Sequence, residues 1–242
     1  MSTTPLPLDG EVHLYCLDLP QKSSELLRFG RILSARETKR AGLLKSDQAK
    51  NRYIAGRGVL REIVGGYLGT EPVDVRIATG EHGKPFLADC LQNLRFNLSH
   101  ADDLLVLAVA DCIEVGVDIE KVEADKPLHD MARFAFSRQE QEELLSLQAS
   151  QQHAAAFYRC WVRKEACLKA CGRGFSLPGS SFDVLPLNEA AALPCVCCDN
   201  TFWHVLDIDV PYNYCAALAV EVSSPDIQPP APVRVTYRFS YL

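Results

Sequence analysis

Two carboxylates stand one pleat apart in Val115-Gly-Val-Asp-Ile-Glu120. Strand alternation assigns Val115, Val117 and Ile119 to one face and Gly116, Asp118 and Glu120 to the other. Like charges that close repel, so either the face is solvated or a cation sits on it. With carboxylate oxygens and no nearby His or Cys, the hard ion Mg²⁺ suits the donor set. A second group lies in Trp161-Val-Arg-Lys-Glu165-Ala-Cys-Leu-Lys169, where Trp161, Glu165 and Lys169 recur at i, i+4 and i+8 on one helical stripe. An ordinary surface Glu–Lys pair has the same spacing. Phe157 and Trp161, however, continue the stripe with aromatic bulk, which sets Glu165 and Lys169 at the edge of a core. There a carboxylate could be a third metal ligand or a general base, and a Lys could meet phosphate.

Two further stretches add donors. Gly80-Glu-His-Gly83-Lys84-Pro85 is a turn whose glycines allow close backbone approach and whose Lys is held beside a rigid Pro. It lacks the pattern and the following helix of a Walker loop. Phe96-Asn97-Leu-Ser99-His100 closes a short strand, where Ser99 and His100 could be structural or could bind phosphate oxygens. Being adjacent, they point apart on a strand, and no Ser or Cys combines with a His and an acid as a nucleophile. One Mg²⁺ site, several phosphate donors and no nucleophile describe an enzyme that moves a phosphorus-containing group between two bound partners.

These residues need elements to hold them, and the chain supplies the elements twice. Shifting it by 103 positions places Val12 and Leu14 on Val115 and Val117, Ser34 and Glu37 on Ser137 and Glu140, Arg61 and Glu62 on Lys164 and Glu165, and Gly69 on Gly172. Each half therefore reads as a strand, a helix begun by a Ser-x-x-Glu capping box, a longer helix and a glycine stop. Leu104–Ala110 and Tyr214–Val220 are matching apolar strands near the two ends.

The predicted fold class is α+β, a pseudo-twofold duplication. Its N-terminal half spans 1–111, its C-terminal half 112–224, and a Pro-rich tail 225–242. In the first half the spacing predicts strand Val12–Asp18, helices from Ser34 and over Gln48–Leu68, and strands near Val73–Ala78, Leu94–Asn97 and Leu104–Ala110. In the second it predicts strand Val115–Glu120, helices Ser137–Gln148 and His153–Cys171, and strands near Phe182–Leu185, Phe202–Asp209 and Tyr214–Val222. The tail, with Pro225, Pro229, Pro230 and Pro232, reads as extended rather than helical and as dispensable for chemistry. The duplication is unequal: Tyr15 and Leu17 fall where the second half has Asp118 and Glu120. A site built on those carboxylates occurs once, where the halves meet.

Composition bounds the rest. The 242 residues suffice for one large domain or two smaller ones. No apolar run is long enough for a membrane helix, and Met1–Pro7 lacks the features of a secretory signal. A net charge of −6 disfavours nucleic acid as a partner. Ten Cys without a signal sequence predict free thiols in a reducing cytoplasm. Cys16, Cys90, Cys112, Cys160, Cys167 and Cys215 read as small buried hydrophobes. The cluster Cys195, Cys197 and Cys198 lacks a second ligand pair at zinc-site spacing.

Taken together, these motifs resemble the 4′-phosphopantetheinyl transferases of the surfactin-synthetase-activating (Sfp) type. Gly83-Lys84-Pro85, Phe96 to His100, Gly116-Val-Asp118-Ile-Glu120 and Trp161 to Lys169 stand in that family's order and at about its spacing, with Gly172-x-Gly174 following. The resemblance covers about Val12 to Val222. It implies coenzyme A in the cleft between the halves and Mg²⁺-dependent transfer of phosphopantetheine to a serine of an apo acyl, peptidyl or aryl carrier protein, with release of 3′,5′-bisphosphoadenosine. By matching position, Asp118, Glu120 and Glu165 would hold Mg²⁺, Glu165 would be the base, and Lys169 would contact the pyrophosphate. Lys84, Ser99 and His100 would bind coenzyme A phosphates, with Gly83, Asn97, Asp118 and Arg40 also in the coenzyme site and His100 in the catalytic group. Glu37 stands where some relatives carry Lys, and Arg52 or Arg57 could substitute. A duplication that supplies both cleft walls predicts a monomer. The rival readings are a Mg²⁺-dependent phosphohydrolase and a non-catalytic module that binds carrier protein and coenzyme A; the pathway served, whether fatty acid, polyketide or nonribosomal peptide synthesis, is not specified.

Overall fold

The computed structural model describes residues 4–8, 10–88, 93–147, 152–187, 195–224 and 234–239. Its first half runs β1 (Glu11–Asp18), α1 (Ser23–Ile32), α2 (Ala35–Gly42), α3 (Asp47–Leu68), β2 (Ile77–Thr79), β3 (Pro85–Leu87), β4 (Leu94–Ala101) and β5 (Leu104–Asp111). The second runs β6 (Val115–Lys121), α4 (Leu128–Ala135), α5 (Arg138–Ser146), α6 (His153–Cys171), β7 (Val196–Cys198), β8 (Thr201–Asp207) and β9 (Tyr214–Val222), and the tail contributes β10 (Arg234–Phe239).

The strands make two four-stranded sheets, ordered β10-β1-β5-β4 and β6-β9-β8-β7, and a small β2–β3 hairpin. All pairings are antiparallel except β10 on β1. Alternation along the central strands builds three layers of core. On β5, Leu105, Leu107 and Val109 turn toward α3, while Val106, Ala108 and Ala110 turn toward the other sheet. On β9, Ala217 and Ala219 turn toward α6, and Ala216, Leu218 and Val220 meet Val12 and Leu14 of β1 and Val115, Val117 and Ile119 of β6. The sheets thus stack face to face with the long helices outside. Each fully buried Val or Leu here contributes about 1.5–3 kcal/mol.

The duplicated signals do duplicate work. Ser34 and Ser137 both close capping boxes, with Glu37 and Glu140 reaching back to the cap backbone. Those same two glutamates are buried against cations of the long helices: Arg61 Nε donates to Glu37 Oε2 at 2.8 Å, and Lys164 Nζ lies 2.8 Å from Glu140 Oε2. α3 and α6 both stop at a left-handed glycine, Gly69 at φ 64° and Gly172 at φ 70°.

Several expected elements differ. The stretch predicted as strand Val73–Ala78 is a 3₁₀ turn, Pro72–Asp74, followed by the short β2, because the carbonyls of Pro72 and Val75 are taken by the Arg61 guanidinium rather than by a ladder. Phe182–Leu185 is not a strand for the same reason. Its backbone bonds to buried side chains: Val184 N–H donates to Glu140 Oε1, Lys164 Nζ to the Phe182 carbonyl and an Arg163 N–H to the Val184 carbonyl. α1 and α4 were not foreseen; neither has a side-chain cap at its start. Of the tail, the described residues 234–239 form β10, which pairs in parallel with β1 on the edge of the first sheet. Gln148, which closed one predicted helix, and Cys90 lie outside the described residues.

Candidate functional site

The site is built where β6 lies against α6. Gly116 allows it: a Cβ there would overlap the carbonyl oxygen of Ala166 and the amide nitrogen of Ala170, so the strand backbone rests directly on the helix. The face that carries Gly116 also carries Asp118 and Glu120, and the close approach brings them to Glu165 and Lys169. Above them, the predicted stripe turns inward, with Trp161 packed on Phe136 and Phe157.

Asp118 is 3% exposed and forms the centre of a triangle. Lys169 Nζ donates to its Oδ1 at 2.6 Å and to Ser99 Oγ at 2.9 Å, and Ser99 Oγ donates to the same Oδ1 at 2.9 Å. Its other oxygen, Oδ2, is buried with no hydrogen-bond partner. Such an atom is costly to leave so. Glu120 is pushed up to about 7 by burial first and by the Asp118 charge second, with Glu165 adding to the rise and Lys169 opposing it. Burial, then Asp118, also raises the Glu165 carboxyl against the pull of Lys169. Three carboxylates in one another's field, with one ammonium in contact, leave negative charge that a divalent cation would offset.

The donor set fits Mg²⁺: hard oxygens, one of them orphaned and buried. Among the described residues, no three His, Cys, Asp or Glu side chains converge closely enough to hold a metal ion by themselves. Mg²⁺ commonly takes only one or two carboxylates and completes its shell with water and substrate phosphates.

A cavity of about 320 Å³ opens beside this group, between the β2–β3 turn of one half and the end of α6 in the other. Its lining includes His82, Gly83, Lys84, Pro85, Asn97, Leu98, Glu165, Leu168, Lys169, Gly172 and Gly174. A second cavity of about 350 Å³ shares Lys84, Pro85 and Gly172 and runs on past Phe86, Arg95, Phe96 and Glu114. The cleft thus has a polar end at Glu165 and Lys169 and an apolar wall of Leu98, Leu168 and Pro85.

Some predicted residues have other partners. Lys84, expected to meet phosphate, places its ammonium on three oxygens of the second half: Glu114 Oε2 at 2.6 Å, the Ala170 carbonyl at 2.6 Å and the Val115 carbonyl at 3.4 Å. With three donors and three acceptors it is a clamp between the halves. Asn97 lines the cleft, yet its Oδ1 accepts from the Val117 N–H at 2.9 Å, fastening β4 to β6 one residue before Asp118. Arg40 is exposed on the last turn of α2 and lines neither cavity. Arg52 is taken up by Asp103 at 2.7 Å and Asp102 at 3.4 Å in the β4–β5 turn, and Arg57 lies over the Tyr53 ring. His100, exposed near the end of β4, lines neither cavity; loss of hydration first, then the charges of Arg52 and Lys169, hold its imidazole below its ordinary value. Leu98, Leu168 and His82 were missed as lining residues. Only His82 carried a signal, its place between the glycines of the turn.

The comparisons with known proteins bear directly on this arrangement. Residues 114–219 match the model of the 4′-phosphopantetheinyl transferase superfamily, and residues 20–112 match that of the 4′-phosphopantetheinyl transferase N-terminal region. The chain is 37% identical over 215 residues to the 4′-phosphopantetheinyl transferase HetI of Nostoc, covering 88% of this chain and 89% of that one. The chain belongs to the 4′-phosphopantetheinyl transferase family. It is 31% identical over 169 residues to the 4′-phosphopantetheinyl transferase Sfp of Bacillus subtilis, covering 69% and 73% of the two chains. With the L-aminoadipate-semialdehyde dehydrogenase-phosphopantetheinyl transferase of Mus musculus it is 33% over 182 residues, covering 70% and 58%. For this 4′-phosphopantetheinyl transferase the two matched regions divide between β5 and β6, so Asp118, Glu120, Glu165 and Lys169 belong to one, and Ser99 and the β2–β3 turn to the other. No helix among the described residues is long and apolar enough to cross a membrane.

Proposed function

We propose that this chain transfers the 4′-phosphopantetheine group of coenzyme A to a serine hydroxyl of an apo carrier protein, leaving adenosine 3′,5′-bisphosphate. The observation that carries the reading is the buried Asp118 with its orphaned Oδ2, tied to Ser99 and Lys169 and flanked by Glu120 and Glu165, of which Lys169 and Glu165 line the cleft. Asp118, Glu120 and Glu165 are the residues that would hold Mg²⁺, whose bound charge offsets that of a diphosphate.

The chain's own groups do the rest. Glu165 lines the cavity and, with its proton affinity raised by burial and by Asp118, is suited to accept the serine proton as the hydroxyl oxygen attacks phosphorus. Lys169 presents a cation at the same wall, where charge develops on the departing phosphate oxygen. Leu98, Leu168 and Pro85 give apolar surface to the organic part of the donor, and the glycines of the β2–β3 turn and of the α6 exit admit it closely. Positioning supplies most of the acceleration, since no covalent step falls to the protein. Both walls come from one chain, so a monomer in the cytoplasm suffices for the reaction.

Intact-mass measurement of an apo carrier protein incubated with the protein, coenzyme A and Mg²⁺ tests this. The expected result is a gain of one phosphopantetheine on the carrier, removed by EDTA and by Glu165→Ala. Coenzyme A breakdown without carrier modification, or coenzyme A binding with no turnover on acyl, peptidyl and aryl carriers, would overturn it.

A further inference from the structure

Cys171 is the last residue of α6 and Cys198 the last of β7, and the two thiols lie close enough for each to act on the other's proton. Cys171 Sγ donates to the Leu168 carbonyl at 3.3 Å. The residues that follow are tied as well: Arg173 donates from Nε to Asp199 Oδ2 at 2.7 Å and from a terminal nitrogen to Oδ1 at 3.4 Å. Neighbouring positions thus already pin the exit of α6 to the β7–β8 turn. The usual obstacle to joining two cysteines is the separation of their backbones, and these two chain segments are already held side by side.

The two sulfurs differ in kind. Cys198 is buried within the second-half core, whereas Cys171 is partly exposed. The neighbouring Cys198 thiol first, helped by the Arg173 backbone N–H and the nearby Lys84 charge and opposed by burial and by the Asp199 charge, brings the Cys171 thiol down to about 7. A partly exposed thiol with appreciable thiolate at neutral pH is a nucleophile toward oxidants, and a second thiol beside it resolves the product.

We propose that Cys171 and Cys198 form a reversible oxidation site that hydrogen peroxide converts to an intramolecular disulfide. The Cys171 thiolate attacks one peroxide oxygen; the O–O bond breaks, the departing hydroxide takes a proton to become water, and Cys171 is left as the sulfenic acid. The Cys198 sulfur then attacks the sulfenic sulfur, the S–O bond breaks, the thiol proton leaves with the hydroxyl as a second water, and the S–S bond forms. The two thiols lose two electrons and the peroxide gains them. The site adjoins the cleft, since the next residue, Gly172, lines both cavities. It is independent of the transferase reading.

The test treats the reduced protein with one molar equivalent of hydrogen peroxide, blocks remaining thiols with N-ethylmaleimide and maps unreduced peptides by mass spectrometry. The expected product is a monomer that has lost two titratable thiols, with a peptide pair joining Cys171 to Cys198 that dithiothreitol separates. Cys171→Ser removes the link and Cys112→Ser, in the exposed β5–β6 turn, keeps it. A link mapped through Cys167, Cys195 or Cys197, a disulfide between chains, or Cys171 recovered alkylated or as sulfinic acid with no link would overturn the proposal. Mapping the unsubstituted protein decides the matter whether or not Cys171→Ser folds.

Discussion

At the position where the second half carries its site, the first half carries a plug. Counting along the duplicated frame, Tyr15 of β1 answers to Asp118 of β6, and α3 answers to α6. Tyr15 OH lies 2.6 Å from Tyr67 OH, which lies 2.5 Å from His13 Nδ1, and all three side chains are buried. The second half has Asp118 and Lys169 there, met by Ser99 from β4 of the first half, with Glu120 and Glu165 beside them and a cavity in front of Glu165 and Lys169. The frame is held alike in both, by Glu37 on Arg61 and Glu140 on Lys164. The lesson is that the α+β frame does not require the carboxylates: Tyr15 finds its partner in Tyr67, whereas the acidic group leaves Asp118 Oδ2 unpartnered.

The sharpest way to break this comparison is at Asp118. Asp118→Ala should lower turnover at least about 10³-fold while the cooperative unfolding transition survives, since removing preorganised charge at a reacting centre costs on that order. Turnover on a carrier protein and circular dichroism check it; near-normal turnover would remove Asp118 from the site. In stability, the largest effects belong to the shared frame. Glu140→Gln and Glu37→Gln each leave a buried cation without its carboxylate and should cost about 3–5 kcal/mol in chemical denaturation, in both halves alike. Gly116→Ala puts a methyl into the α6 backbone and should cost about 1–3 kcal/mol together with most activity, because it separates Asp118 from Lys169.

A pH comparison sharpens the electrostatic half of the account. The Glu120 carboxyl is raised to about 7, above its unfolded value, so the metal-free folded state binds more protons than the unfolded state between about 4.5 and 7. Its contribution to stability is therefore present below that window and lost as pH rises through it. Mg²⁺ needs the ionised form, so the rise in melting temperature on adding Mg²⁺ and coenzyme A should grow from pH 5.5 to 8, and Glu120→Gln should flatten that growth. Smallest is Tyr15→Phe, which removes one buried hydrogen bond from the plug. It should cost about 1 kcal/mol in denaturation and leave turnover unchanged.

Much of this was legible in the chain because it rested on local periodicity. Alternation in Val115 to Glu120 sorted the strand faces correctly, the capping serines located the starts of the short helices α2 and α5, and the stop glycines located the ends of the long helices α3 and α6. The shift that paired Glu37 with Glu140 and Arg61 with Lys164 also paired two buried ion pairs, although nothing in the spacing said they were buried. What stayed hidden depends on distant partners. Lys84 reads as a free cation in a turn until Glu114 and the end of α6 are brought to it. The backbone from Phe182 to Leu185 reads as strand until Arg163, Lys164 and Glu140 claim its polar groups. The Cys171–Cys198 pair joins residues that the sequence separates by a region including 188–194, which lies outside the described residues.

The central claim is that a duplicated frame carries one metal-dependent site, in its second half. Isothermal titration of Mg²⁺ into the protein saturated with coenzyme A tests it most directly. The account predicts one Mg²⁺ per chain, lost in Asp118→Ala and retained in Tyr15→Phe. Two ions per chain, or one that survives Asp118→Ala, would contradict it.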